Sequence, residues 1–350
     1  MNRRGFAWLL IAALTVLLGA YFVNAHRNRL RESDVALLPS LANDLNTVTT
    51  VLLRKGTATP TLTLHLVNNH WSVAQRADYP ADVSKIRNLL LSLRDAKIIE
   101  EKTSDAARFA GIGVEDPGAA GATGVEITVT GPNAKLSLVV GKSVGQGSFV
   151  RRTGEMRTFS VEPAISVEIT PKDWIDSRLI DVPLKLIQRI EVKPAAGASY
   201  VIHRLNSADD TFSLDAVPAG RKPRDGHALA PSPTILTGLD AEDVSPAGAI
   251  DFATSSQAIV TLTDGSLMTL TGAAIADKHW IEVTSTKDAA LTAKAAGRAF
   301  EIASYKYDAL FRPAEQLLEP KEPAAHKASK SPPGPATPHT AKSPLPAAPQ

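Results

Sequence analysis

Only one stretch of the sequence contains residues of a recognised chemical motif. In LSLVVGKSVGQGSFVRR, residues 136–152, Gly141-Lys142-Ser143 match the last three positions of a nucleotide-binding P-loop. A P-loop also needs a glycine five residues earlier and a following helix, because its backbone amides wrap the phosphates. Leu136 occupies the glycine position, and the flanking residues have the alternation of strands. We therefore predict a backbone turn with positive φ at Gly141 and no nucleotide binding.

Histidines supply the next candidates for chemistry. The segment TLTLHLVNNHWSVAQ predicts a hairpin that turns at Asn68-Asn69, with His65 and His70 close together on the face opposite Trp71. Two imidazoles at this distance are suitable metal ligands, but no third ligand follows at a useful spacing. We therefore predict solvent-facing strand histidines and no metal site.

Paired carboxylates are a third source of chemistry. Two neighbouring carboxylates can act as acid and base only when their environments give them different pKa values. Each cluster in this sequence falls where a turn or the start of a helix is expected, which favours a capping role. The clusters are Glu100-Glu101, Asp173 with Asp176, Asp209-Asp210, and Asp240 with Glu242 and Asp243.

A short basic run completes the candidates. Arg151, Arg152 and Arg157 lie on a predicted hairpin, where a solvated face is favoured over a binding patch. This run is nevertheless our preferred place for a partner contact within the ordered domains. Because no Gly-x-Ser-x-Gly elbow and no zinc-protease motif is present, we predict a protein that is not an enzyme. It has no assigned catalytic, cofactor-binding or metal-binding residue.

Composition excludes further classes of function. The chain has 350 residues, 38 Lys and Arg against 36 Asp and Glu, and a formal net charge of +2. So small a charge creates no field that attracts a nucleic-acid backbone, and only 5% aromatic residues disfavour base stacking. The absence of cysteine excludes disulfides and thiolate chemistry. We therefore expect no nucleic-acid partner.

The N-terminus predicts a membrane anchor. Residues 6–23, FAWLLIAALTVLLGAYFV, carry no charge over 18 residues, which is about 27 Å of helix and just spans a bilayer core. The positive-inside rule assigns no orientation, since arginines stand on both sides, at positions 3, 4, 27, 29 and 31. Cleavage after Ala25 and a twin-arginine export signal are the alternatives. With either processed form, or with the N-terminus of the anchor inside, the remaining chain is exported.

The elements that would position these residues form an α+β pattern. Alternation predicts a strand at 48–54, a strand from Val125 that turns at residues 131–133 and resumes at Leu136, and a strand, turn and strand around Gly154. Apolar spacing from Val83 to Ala96 predicts an amphipathic helix over the hairpin. A shorter helix is predicted from a Ser104 cap to Gly111. The predicted architecture is therefore mostly antiparallel sheet with covering helices, behind one N-terminal transmembrane helix.

The second half of the chain repeats the order of the first. Ile190 is matched with Val51, Val192 with Leu53 and Phe212 with Trp71, and the offsets over the whole alignment lie between 131 and 141 residues. The same alignment matches Ala258 with Val125, Gly272 with Gly141, and Trp280-Ile281 with Phe149-Val150. We interpret the halves as two tandem copies of one unit, and gene duplication is a hypothesis.

These observations predict four segments. Residues 1–32 form the anchor and juxtamembrane segment, 33–185 the first unit, 186–318 the second unit, and 319–350 a tail. The tail contains nine prolines and four lysines without an aromatic residue, so we expect it to be disordered. A proline-rich spacer that touches an anionic surface or partner is the alternative for the tail.

Several stretches together resemble the domain of unknown function 4340 family. They are LLPSLANDLNTVTTVLL, HWSV, YPADVSKIRNLLLSLRDAK, AGIGVEDP, residues 136–161, DWIDSRLIDVPLKLIQRIEV and YKYDALFRPAEQLL. The resemblance implies a single-pass bacterial inner-membrane protein whose bulk lies outside the cytoplasm, often encoded beside ABC exporter subunits of the gliding-motility type. It carries over no catalytic residues.

From the resemblance and the residues together we expect a non-enzymatic, membrane-anchored periplasmic accessory protein. The expected partners are the inner membrane and ABC exporter subunits. The alternative is a periplasmic module that binds an envelope glycan and uses Trp71, predicted buried, or Trp280 as a stacking surface.

Overall fold

The computed structural model describes residues 15–19, 35–119, 121–132, 135–206, 210–224, 229 and 231–320. No helix within these ranges is long and apolar enough to cross a membrane. Of the predicted span at 6–23, only residues 15–19 are described, and they are helical. The rest of the predicted anchor, and the predicted tail beyond residue 320, lie outside the described residues.

The first half of the chain builds a nine-stranded antiparallel sheet in the order β4-β3-β2-β1-β6-β7-β8-β9-β5. Its strands are β1 Thr50–Arg54, β2 Leu62–Val67, β3 His70–Val73, β4 Tyr79–Pro80, β5 Lys97–Glu101, β6 Val125–Thr130, β7 Lys135–Val144, β8 Gly147–Arg152 and β9 Thr158–Glu162.

The second half builds an eight-stranded antiparallel sheet in the order β13-β12-β11-β16-β17-β18-β19-β15. Its strands are β11 Ile187–Lys193, β12 Tyr200–Arg204, β13 Phe212–Leu214, β15 Asp243–Pro246, β16 Ser256–Leu262, β17 Leu267–Ile275, β18 Lys278–Ser285 and β19 Arg298–Ile302. Two short strands, β10 Arg178–Ile180 and β14 Leu239–Asp240, pair with each other in a separate small sheet.

The fold is thus α+β and mostly antiparallel, as the alternation predicted. Six described α-helices accompany the sheets: α1 Pro39–Asp44, α2 Val83–Asp95, α3 Phe109–Ile112, α4 Pro231–Ile235, α5 Ala289–Ala295 and α6 Ser304–Leu310. The predicted amphipathic helix is α2, which buries Ile86, Leu89, Leu90 and Leu93. Asp82 caps it by accepting hydrogen bonds from the amides of Ser84 and Lys85.

The two sheets share one strand order. Without β4, the first sheet and the second run through their strands in the same sequence. Register also agrees with part of the predicted correspondence, since Trp71 lies opposite Leu66 and Phe212 lies opposite Arg204, at equivalent places in the two sheets.

Two of the predicted correspondences are wrong in register. Leu53 pairs with Ile127 in the first sheet and Val192 pairs with Ala258 in the second, so Ala258 corresponds to Ile127 rather than Val125. Gly272 pairs with Ser256 on one side and Ile281 on the other. The equivalent position in the first sheet is Val140, not Gly141. The shift at Gly272 arises in the preceding loops, because four residues separate the paired Thr130 and Lys135 and five separate the equivalent Thr261 and Leu267.

One hydrophobic core joins both halves. The same cluster contains Val51 and Leu64 from the first sheet and Ile190 and Ile202 from the second, each fully buried. The ring of Tyr79 meets the ring of Phe300 edge-on at 5.5 Å between centroids.

Hydrogen bonds and ion pairs fasten the halves around this core. Arg298 donates to the carbonyl oxygen of Ala77 from Nε and Nη2, at 3.0 and 2.9 Å. Lys294 lies 2.7 Å from Asp176, and Arg76 forms an ion pair with Asp243.

The shorter predicted helix begins and ends at other residues than expected. Asp105, rather than Ser104, accepts the capping hydrogen bond from the amide of Ala107, and the helix ends at Gly113, rather than Gly111, with φ of 75°. This segment folds over the outer face of the first sheet, where Phe109, Val114 and Val139 form a second small core.

Candidate functional site

A hollow of about 480 Å³ lies on the outer face of the first sheet. Neighbouring strands β1, β6 and β7, together with Thr153 after β8, contribute its walls. The lining residues are Leu52, Arg54, Ala58, Pro60, Glu126, Thr128, Lys135, Ser137 and Thr153. We call this set the polar hollow.

Glu126 is the one acidic residue in the lining of the polar hollow. It is only 7% exposed, and a buried carboxylate is costly unless it is paired. Arg54, directly opposite in the register, donates from Nε to Oε2 of Glu126 at 2.7 Å, and its Nη2 lies 2.5 Å from the same oxygen. The charge pair therefore holds both side chains in place.

Hydroxyl groups complete the surroundings of Glu126. Ser137 and Thr153 donate to Oε1 of Glu126 at 3.0 and 3.1 Å, and Thr128 lies 2.9 Å from the hydroxyl of Ser137. Both carboxylate oxygens are thus occupied by donors within the chain. This arrangement suits recognition better than proton transfer, because a general base needs a free lone pair that faces its substrate.

The register of the second sheet provides an internal comparison. Lys193 and Gln257 pair there as Arg54 and Glu126 pair in the first sheet. The pair Ile259 and Thr269 takes the place of Thr128 and Ser137. The same strand order therefore forms without the buried carboxylate, so the sheet topology does not require it.

Sequence reasoning missed the polar hollow. Glu126 interrupts the apolar stretch VEITVT, and Arg54 ends the preceding predicted strand. A charged residue within a strand was the available signal, but the partners of Glu126 lie as many as 72 positions away in the chain.

The Gly141 stretch is not a turn, and this prediction was wrong. Gly141-Lys142-Ser143 lie inside β7, and the positive φ belongs to Gly145, at 58°, between β7 and β8. Gly141 instead permits close packing: a Cβ atom there would lie 2.8 Å from the carbonyl oxygen of Gly113. Lys142 donates to the carbonyl oxygen of Gly111 at 2.9 Å, so the strand and the overlying segment are tied together.

The hairpin histidines lie where the register prediction placed them. His65 pairs with Ser72, and His70 pairs with Val67. Nε2 of His65 lies 2.9 Å from the hydroxyl of Ser72 and 3.3 Å from the carboxylate of Asp78. Among the described residues, no group of three or more His, Cys, Asp or Glu side chains could hold a metal ion.

The first carboxylate cluster is not at a turn or a helix start. Glu100 and Glu101 belong to β5, where their partners are Lys102 at 2.5 Å and Arg157 at 2.6 Å. The hydrogen bond from Arg157 lowers the pKa of Glu101. The capping prediction was therefore wrong for this pair.

The other described carboxylates take part mainly in ion pairs. Asp240 lies 3.1 Å from Arg178, Asp243 pairs with Arg76, and Asp210 lies 3.0 Å from Arg204. Asp176 accepts from the amide of Arg178 at 3.3 Å, which is a turn contact of the expected kind. Asp209 lies outside the described residues.

The predicted solvated face holds for Arg157, which is exposed, but is wrong for Arg151. Arg151 is only 3% exposed; it donates to the carbonyl oxygen of Val114 at 2.7 Å, and its guanidinium carbon lies 5.0 Å from the centre of the Phe109 ring. It is buried because the segment that carries α3 covers the outer face of the sheet at this point. Arg152 donates to the carbonyl oxygen of Leu37 at 2.8 Å.

The two proposed stacking tryptophans differ in exposure. Trp280 is 7% exposed, with the ammonium of Lys278 5.6 Å from its ring centre. Trp71 was predicted buried but is only partly so; it packs against the core and also lines a hollow of about 330 Å³ with His65, His70 and Asp78.

Fold and site together define a class of protein: a two-sheet α+β protein with a polar hollow on the outer face of its first sheet. A family model described as "Domain of unknown function (DUF4340)" matches residues 71–248, which is just over half of the chain. The chain therefore belongs to this family, as the sequence motifs indicated. No curated protein matches the chain, and no solved structure matches it.

Proposed function

We propose that the protein is a non-enzymatic accessory protein, anchored in the bacterial inner membrane with its bulk in the periplasm, that engages an ABC-type export system. The anchor would be the uncharged segment at residues 6–23, which is long enough for one transmembrane helix. The family resemblance motivates the exporter as partner.

One observation supports the proposal that the two sheets together form a binding surface for a partner. The two sheets share a continuous core, and Arg298, Lys294 and Arg76 fasten them together through hydrogen bonds and ion pairs. Such a body presents a fixed surface to a partner, which lowers the entropy cost of association. The charged side chains of the basic run also serve contacts within the chain, which favours a structural role for them.

Copurification from native membranes tests this proposal. The tagged full chain, extracted in a mild detergent, is expected to retain exporter subunits that mass spectrometry identifies. An unrelated periplasmic domain fused to residues 1–32 serves as the matched control, because it separates capture by the anchor from capture by the two-sheet body. Repeated recovery of no membrane partner, or equal recovery with the control, would contradict the proposal.

Topology has its own test. Protease added to sealed spheroplasts is expected to digest the two-sheet body, since the proposal puts it outside the inner membrane. A body that survives in sealed spheroplasts and is digested only after lysis would overturn the periplasmic location.

A second candidate function is the binding of an envelope glycan, which the partial exposure of Trp71 favours. Aromatic rings stack well on sugars, and the hollow beside Trp71 contains the polar groups of His65, His70 and Asp78. Glycan fragments are expected to quench the tryptophan fluorescence in the parent chain but not after Trp71→Ala. Quenching that persists in this variant would remove Trp71 from the proposal, and Trp280→Ala is the control because Trp280 is buried.

A further inference from the structure

We propose that the polar hollow binds an oxyanion, the phosphate or carboxylate group of a ligand. This site does not depend on membrane anchoring or on an export partner. Its volume of about 480 Å³ lies within the range usual for small-molecule sites.

The hydrogen-bonding groups of the polar hollow that have no partner within the described residues are largely N–H donors of cationic side chains. A guanidinium has five N–H groups, and Arg54 directs Nε and Nη2 to Glu126 and Nη1 to the carbonyl oxygen of Ala58 at 3.3 Å. One N–H on each terminal nitrogen therefore has no acceptor among the described residues. Lys135 also lines the hollow and is exposed, and its ammonium has no partner within the described part of the chain.

The acceptor side of the polar hollow is already occupied. Glu126 receives Arg54, Ser137 and Thr153 on its two oxygens, so it offers little to a donor ligand. Two cations against one carboxylate leave an excess of one positive charge in the lining. Charge and unused donors thus both favour an acceptor ligand with negative charge.

Glu126 also orients the cation beside it. By fixing Nε and Nη2 of Arg54, the carboxylate keeps the planar guanidinium in one orientation, which lowers the entropy cost of binding an anion. The lining contains no aromatic side chain, so it lacks the stacking platform that usually recognises a sugar ring or a base.

Titration of the full chain in an uncharged detergent tests the proposal, with inorganic phosphate and acetate as probes and sodium chloride at equal ionic strength as reference. Calorimetry is expected to show one site for at least one probe. A preference for phosphate indicates a phosphate-bearing ligand, and a preference for acetate indicates a carboxylate-bearing one. Absence of saturable binding by both probes would overturn the proposal.

Lys135 and its matched control locate the site. Lys135→Met is expected to weaken binding about tenfold, which corresponds to about 1.4 kcal/mol, and Lys135→Arg to retain it. Lys193→Met, at the place of Arg54 in the second sheet, is expected to leave binding unchanged. Equal loss in the Lys135→Met and Lys193→Met variants would show general charge attraction and refute the assignment.

A measurement on the unmodified chain removes dependence on how the variants fold. The ¹⁵N–Hε resonance of Arg54 is expected to shift along the same titration curve as the calorimetric signal. An Arg54 resonance that stays in place while binding saturates would put the ligand elsewhere.

Discussion

Replacement of Gly141 by alanine tests how the first sheet is covered. The new Cβ would lie 2.7 Å from Cγ1 of Val114 and 2.8 Å from the carbonyl oxygen of Gly113, and closer still to that of Ile112. Carbon–oxygen contacts in proteins are usually no shorter than about 3.3 Å. Because two of the opposing atoms are backbone oxygens, the overlying segment must move rather than a flexible side chain.

The expected cost follows from these contacts. Overpacking of a tight site costs about 1–3 kcal/mol. Movement of the segment also strains the hydrogen bonds from Arg151 to Val114 and from Lys142 to Gly111, each with a net value of about 1 kcal/mol. We therefore expect Gly141→Ala to lower the free energy of unfolding by about 2–4 kcal/mol.

Equilibrium unfolding in urea, followed by circular dichroism, measures this change. Gly111→Ala is the matched control: it lies in the same covering segment, its Cβ would meet nothing within 4 Å, and alanine in a helix is favoured over glycine by about 1 kcal/mol. A Gly141→Ala chain as stable as the parent would refute the close packing of strand and segment.

Three further predictions concern the rest of the fold. Asp82→Ala is expected to lower the free energy of unfolding by about 1 kcal/mol, because α2 loses its N-cap acceptor; urea unfolding measures it, and Asp82→Asn should recover most of the loss. Arg298→Met is expected to cost about 2–3 kcal/mol, since the carbonyl of Ala77 loses a charged donor between the two halves; an unchanged unfolding midpoint would contradict this fastening. Burial raises the pKa of Tyr79 in the folded chain. The neutral, buried phenol therefore contributes its full stabilisation below the unfolded-state pKa near 10. This stabilisation falls by up to about 1.4 kcal/mol per pH unit as the pH rises above that value. Unfolding measured between pH 8 and pH 11 should therefore show a smaller loss for Tyr79→Phe than for the parent, and equal losses would count against burial as the cause.

The sequence by itself determined the local elements. Alternating apolar residues and the Asn68-Asn69 turn predicted the hairpin, in which Leu66 pairs with Trp71 and Leu64 with Val73. Apolar spacing from Val83 to Ala96 likewise predicted α2. These features depend on interactions between residues close in the chain, so their pattern is visible in the sequence.

Only the tertiary structure decided which polar side chains meet and which strand face is covered. Alternation assigns residues to a face, but it does not state what lies against that face. The sequence predicted a solvated Arg151, but the segment that carries α3 covers this side chain. It also predicted a turn at Gly141, where the same segment packs on β7 instead. The polar hollow exists because β1 lies beside β6 and brings Arg54 to Glu126 across 72 positions of sequence. Contacts at such separations depend on how the whole chain packs, which no local pattern encodes.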